Sequence, residues 1–149
     1  MLGAPLYEAT GWSVAFTWYA AVIAATVMAL PLLVRTARAA IESVDQNLER
    51  AAFTLGRPEW RTALEVTLPL ARNGILAGLV LAFARALGEF GATIMLAGNI
   101  PGKTQTLPLS IYTAVQTGEA GQAMALVAVL TLLSCAVVVA SARLGARPW

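Results

Sequence analysis

Two long stretches of this chain carry no charged residue, Ala9 to Val34 and Ala120 to Ala142, and Phe90 to Gly102 is one of the shorter uncharged windows. About 20 helical residues rising about 1.5 Å each cross the roughly 30 Å hydrocarbon core of a bilayer, so the two long windows suffice for spans. The rest of the composition agrees, with 58% hydrophobic and 12% charged residues. The mean hydropathy is +0.72. A soluble domain is usually less apolar and more charged, and the class expected is an all-α membrane protein rather than a soluble helical bundle.

The same composition is poor in chemistry. Histidine is absent and Cys135 is the sole cysteine, which removes disulfides and nearly every metal site built from imidazole or thiolate. Cys135 sits in the last apolar run and reads as a small hydrophobe. The single aspartate, Asp45, rules out an aspartyl dyad, and the missing histidine rules out a serine–histidine pair. A formal charge of +2, with no basic run interleaved with aromatics, gives no argument for nucleic acid. No catalytic, cofactor or metal site is expected on this chain.

Three spans are expected, at about 14–34, 70–97 and 120–142. Trp12, Trp18 and Tyr19 gather at the start of the first, and Arg35 and Arg38 follow its end. Aromatics favour an interface and arginines the cytoplasmic flank. Pro31 near the inner end is tolerable where neighbours satisfy the freed carbonyl. With three spans the chain ends fall on opposite sides. Arg35, Arg38, Arg50, Arg57, Arg61, Arg72, Arg143 and Arg147 all fall on one side, which the positive-inside rule makes cytoplasmic, while the other face keeps only Lys103. The N-terminus and a loop at about 98–118 are therefore predicted outside and the C-terminus inside. The start lacks the basic region and short apolar core of a signal peptide.

Between the first two spans lies a polar elbow, at about 43–66. Leu48, Ala51, Ala52 and Leu55 follow the i, i+3, i+4, i+7 spacing of a one-faced helix. Ser43 and Gln46 have capping-box spacing, and Asp45 is a rival cap. Gly56 suits a left-handed helix end. Pro58 suits the first turn of a second helix bearing Trp60, Ala63 and Leu64 on one face, and Pro69 is expected to break the chain before the membrane. A one-faced helix must bury its stripe, either in lipid headgroups or in a partner's groove. Headgroup helices usually carry more lysine and bulkier apolar residues, whereas small residues and a glycine permit close approach by a partner.

Ala51-Ala52, three residues, Gly56, nine residues and Val66-Thr67-Leu68-Pro69 closely resemble the EAA signature of ABC importer permeases, Glu-Ala-Ala-x3-Gly-x9-Ile-x-Leu-Pro. Arg50 stands where the motif has glutamate, Glu49 precedes it by one residue, and Val66 replaces isoleucine. The resemblance implies that this segment is a coupling helix docking into a cytoplasmic ATPase subunit through Glu49, Ala51, Ala52, Gly56, Pro58, Trp60, Leu68 and Pro69. It extends from about Leu6 to Leu144. The runs Phe83-Ala84-Arg85-Ala86-Leu87-Gly88-Glu89-Phe90-Gly91-Ala92-Thr93, Asn99-Ile100-Pro101-Gly102 and Ile111-Tyr112 look like the molybdate-type permeases, related to those for sulfate and tungstate. The resemblance thus implies part of a type I importer transmembrane domain and a tetrahedral oxyanion substrate handed over by an external solute-binding protein. It also implies a pair of permease subunits, two ATPase subunits, and ATP with Mg on those partners. Members of that family are longer, with further N-terminal spans, so this chain resembles their C-terminal part.

The second span is unusual. Gly74, Gly78, Ala82 and Ala86 recur every four residues and form a seam for close helix contact, within the subunit or between copies. Arg85 and Glu89 are four apart and can pair on one face. Counted from Arg72 at about 1.5 Å per residue, they lie roughly 20 and 25 Å toward the outside. A charge in hydrocarbon costs about 2.5–3.5 kcal/mol even on the lenient insertion scale, so both should face the bundle or a wet cavity. Arg85, Gly88, Glu89, Phe90, Gly91 and Thr93 are thus candidates for the translocation path or its gate, and a structural ion pair is the alternative. GNIPGKT, residues 98 to 104, ends like a nucleotide-binding loop but has Ala97 where the first glycine belongs. A secondary transporter would show paired repeats, which are missing here. A membrane scaffold that docks a cytoplasmic partner without transport would keep the elbow but not need Arg85 and Glu89.

Overall fold

The computed structural model describes residues 15–145, and the regular elements among them are all helical. In order they are α1 (Trp18–Glu42), α2 (Gln46–Thr54), α3 (Glu59–Thr62), a π-helical turn (Ala63–Thr67), α4 (Leu68–Leu87), α5 (Gly91–Ala97), α6 (Leu107–Gln116) and α7 (Ala120–Gly145). Three stretches are long and apolar enough to cross a membrane: Trp18–Glu42, Glu59–Leu87 and Ala120–Arg143. In the last, only 6% of the most apolar window is buried within the chain, so lipid or other protein must cover it. Trp12, Arg147, Leu6 and the first residue of the expected first span, Val14, lie outside the described residues.

Boundaries differ from the sequence reading in three places. Helix α1 runs past Arg35 and Arg38 to Glu42 with Pro31 inside it. The helix expected at 70–97 stops at Leu87, and a separate short helix starts at Gly91. Pro69 does not break the chain. It occupies the second position of α4, directly after the π-helical turn, in which the amide of Leu68 reaches back five residues to the carbonyl of Ala63. Proline inside an α-helix is costly because its ring strikes the carbonyl four residues back. The wider turn moves that carbonyl out of the α-helical position, and the helical path continues through the proline.

The described residues divide into two compact units, 15–29 with 84–135 and 30–83 with 136–145. In the second unit α4 packs on the C-terminal part of α1. A Cβ on Gly74 would lie 2.6 Å from the Cβ of Ala40, and one on Gly78 would strike the Thr36 hydroxyl, with the Thr36 Cβ at 2.9 Å. Side chains cannot come that close, so at these two glycines the small-residue seam is used inside the chain. The packing core there is equally small-sided, with Ala71, Gly78 and Ala82 buried along α4.

In the first unit, the segment before α1 is tied to α5. The amide of Phe16 donates to the carbonyl of Leu96 at 3.1 Å, and a Cβ on Gly98 would meet the Phe16 ring at 3.1 Å. Gly98 ends α5 with φ +72° and ψ −168°, a positive-φ extended conformation that is open essentially to glycine alone. Trp18 and Tyr19 stack at 3.8 Å and stay exposed, as interface aromatics do.

Candidate functional site

The elbow is built by local chemistry. Asp45 caps α2, accepting from the amide of Asn47 at 2.8 Å, while the Ser43 hydroxyl turns back to the carbonyl of Ala40 at 2.7 Å. The Asp45 cap, not the Ser43–Gln46 box, is the one formed. At the far end Gly56 takes φ +77°, where a residue with a side chain pays for its Cβ and glycine does not. A Cβ there would touch nothing within the chain, so backbone conformation alone demands the glycine. Pro58 caps α3 in extended conformation rather than entering its first turn, and its carbonyl accepts from Arg61 at 3.0 Å and Thr62 at 3.1 Å.

Elbow side chains sort into two faces. Ala52, Thr62 and Thr67 are buried, whereas Leu48, Ala51, Phe53, Trp60 and Leu64 are exposed. Leu55 is the extreme case at 82% exposure, and Trp60 is 60% exposed. The spacing that grouped Ala52 with Leu48, Ala51 and Leu55 therefore splits, since Ala52 turns toward α3 and the π-helical turn. Of the other candidate docking residues, Pro58, Leu68 and Pro69 are exposed. Glu49 is not directed outward. Its Oε1 accepts from the hydroxyl of Thr67 at 2.6 Å across the elbow. The short distance marks a charge-assisted bond. Arg57 pairs with Glu65 at 2.9 Å on the surface, Arg61 lies 5.2 Å from the Trp60 ring, and Arg50 is exposed.

The second candidate region is the break between α4 and α5. The Glu89 carboxylate, only 6% exposed, accepts from the Arg85 guanidinium at 2.9 Å through Oε2. Through Oε1 it accepts from the amide of Ala92 at 3.0 Å. It therefore joins two helix ends: Arg85 sits in the last turn of α4, and Ala92 in the first turn of α5. One carboxylate satisfies an orphan amide and places negative charge at a helix start, where the backbone dipoles favour it. The Arg85 side chain remains 43% exposed, leaving donors free. Gly88 and Gly91 need no close approach, because a Cβ on either would meet its nearest neighbour only at 3.9 and 4.0 Å.

Beside this junction, within the same unit, is a cavity of about 220 Å³. Glu89 and Thr93 line it with Ala86, Leu87 and the first turn of α6, and Ala21, Val22 and Ala25 of α1 close the other side. Arg85, Gly88, Phe90 and Gly91 do not line it; Phe90 instead packs its ring 5.2 Å from that of Tyr112 on α6. The only charged wall group is a carboxylate, already bonded, so the cavity as folded is mostly apolar and unsuited to hold an oxyanion. The sequence reading missed Thr106, which lines the cavity with a buried hydroxyl lacking a partner. It also missed Thr67, whose pairing with Glu49 bridges residues too distant for periodicity to reveal. Residues 98 to 104 form a self-bonded loop in which the Thr104 hydroxyl accepts from Ile100 at 3.1 Å and donates to the carbonyl of Gly98 at 3.4 Å.

Long apolar helices joined by a polar elbow with exposed hydrophobic side chains define a multi-pass membrane protein. The chain belongs to the family of binding-protein-dependent transport system inner membrane components, whose model matches residues 3–147. It is 54% identical over 124 residues to the molybdenum transport system permease protein ModB of Escherichia coli (strain K12), covering 82% of this chain and 54% of that protein. The ModB of Haemophilus influenzae is 52% identical over 116 residues, covering 78% and 51%. A protein described as a probable sulfate transport system permease, from Chlorokybus atmophyticus, is 40% identical over 107 residues, covering 72% and 37%. The chain spans about half the length of the curated relatives it matches.

Proposed function

We propose that this chain is a permease subunit of an ATP-driven molybdate importer, a transport subunit rather than an enzyme, working in the inner membrane of a prokaryote. The observation that carries the reading is the elbow: a polar segment that turns Leu48, Leu55 and Trp60 outward. Exposed apolar rows beside charged residues are what helix-in-groove partners recognise. The occupant of this role is a cytoplasmic ATPase subunit that binds ATP and Mg. Two such subunits, a second permease copy and an external solute-binding protein complete the transporter, with lipid around the spans and no nucleic acid. The N-terminus lies outside and the C-terminus in the cytoplasm. Molybdate is preferred over sulfate because the ModB relatives match at higher identity than the sulfate relative.

Closure of the ATPase subunits on ATP moves the docked elbow, and the helices that leave it carry the movement to the junction at Arg85, Gly88, Glu89, Phe90, Gly91 and Thr93, which serves as path or gate. The cavity beside the junction, as folded, is not an oxyanion site, so passage requires the junction to change shape. Tight capture is left to the binding protein.

The test is ATP-dependent uptake of labelled molybdate into vesicles holding this subunit with its ATPase, with binding protein added on the outside. Uptake blocked by unlabelled molybdate better than by sulfate or tungstate is the expected result. Capture of the ATPase with no uptake would favour a docking scaffold, and equal competition by sulfate would remove the substrate assignment.

A further inference from the structure

Resting on the permease reading, we infer that Glu49 and Thr67 form a clasp that transmits movement from the docking helix α2 to membrane helix α4, with Glu49 a positioning residue and not a contact to the ATPase. Between α2 and α3 the backbone connection is Leu55–Pro58, pivoting on left-handed Gly56. A hinge of that kind bends under load and passes little of it on. The bond from the Thr67 hydroxyl to Glu49 Oε1, at 2.6 Å, closes the elbow from within, while Leu55 and Trp60 stay exposed. Thr67 is 7% exposed and Glu49 half-buried, so the bond is partly shielded from water, and a carboxylate acceptor makes it stronger than a neutral pair.

Its location sets its mechanical role. Thr67 is the last residue of the π-helical turn, immediately before Leu68 and Pro69 of α4. Proline has no amide to donate, and a π-helical turn is a local departure from the regular hydrogen-bond ladder, so this is the point where the helical path is most easily bent. A pull on α2 therefore reaches α4 at its weakest turn, through the Glu49 side chain. The outward docking face and the inward clasp occupy different sides of α2, so the two roles are separable by mutation.

Two measurements on Thr67→Val, Thr67→Ser and Glu49→Ala decide the matter. The first is hydrogen–deuterium exchange of the 63–68 segment in lipid nanodiscs, without any partner. Valine at 67 and alanine at 49 should each raise exchange by about tenfold, the double variant should add little more, and serine should restore the native rate. The second, in the assembled transporter, is molybdate imported per ATP hydrolysed, together with ATPase capture. The clasp requires Thr67→Val and Glu49→Ala to lower the import ratio severalfold while capture stays within about twofold of the native value, with Thr67→Ser near native. Unchanged exchange, or an unchanged ratio, overturns the clasp. Loss of capture in Glu49→Ala but not in Thr67→Val would instead make Glu49 a direct contact. If the native chain captures no ATPase, the permease reading fails, and the exchange experiment still decides whether the clasp exists.

Discussion

The elbow and the α4–α5 junction solve the same local problem in opposite senses. Each has a carboxylate engaged by a residue of its own chain: Glu49 by Thr67, and Glu89 by Arg85 and Ala92. At the elbow the polar bond is internal and the apolar residues Leu55 and Trp60 are turned out. At the junction the carboxylate lies beside a cavity, and apolar residues make the walls. Hydrophobic groups facing away from the chain on a charged segment invite a protein partner, whereas a buried, bonded charge facing a cavity organises an interior. The elbow thus presents an apolar surface outward, whereas the junction encloses one.

Removing either side of the junction should have the largest effect. Arg85→Ala leaves the buried carboxylate with backbone amides alone, whereas Glu89→Ala unpairs Arg85 and also leaves the Ala92 amide without its acceptor. We expect Arg85→Ala to destabilise by about 1–3 kcal/mol, the scale for a buried polar group left partly unsatisfied, and Glu89→Ala, which strips two donors of their acceptor, by at least as much. Thermal unfolding of detergent-purified subunit measures this. Uptake should fall by more than ATPase capture in both variants; equal loss of uptake and assembly would make the pair structural only.

Next in size, Trp60→Ala should leave the unfolding midpoint near native, because surface truncations usually fall within about 0.5 kcal/mol, yet weaken ATPase capture by about tenfold or more, as an aromatic anchor does. A change in stability with capture intact would erase the distinction between the two regions. Gly56→Ala is milder still. The added methyl meets nothing within 4 Å. The cost is the left-handed conformation alone, about 1–2 kcal/mol. A bulkier residue at 56 adds obstruction of the partner and should uncouple hydrolysis from uptake, measured as ATPase turnover without import.

Local features were legible in the sequence. The two long uncharged windows announced α1 and α7, the Asp45 cap needs only a residue type before a helix, and the left-handed Gly56 needs only a glycine at a helix end. What escaped reading depends on backbone accommodation or on distance along the chain. Passage through Pro69 relies on a five-residue hydrogen bond from Leu68 to Ala63, which no side chain advertises. The break after Leu87 falls where Arg85 and Glu89 interrupt the apolar run, but hydropathy counts Glu89 only as a charge, whereas its side chain accepts from the first turn of the next helix. Ala52 shares its spacing with Leu48 and Leu55, and only the packing of α3 and the π-helical turn against α2 decides that it alone turns inward.

The most direct measurement of the central claim is sidedness at the elbow. With Cys135→Ala as background, Glu59→Cys, at the exposed position beside Trp60, should be unreactive to a membrane-impermeant maleimide in intact cells. It should react in inside-out vesicles, and added ATPase subunit should protect it. Labelling from outside in intact cells would contradict the account, since no cytoplasmic motor reaches a surface on that side of the membrane.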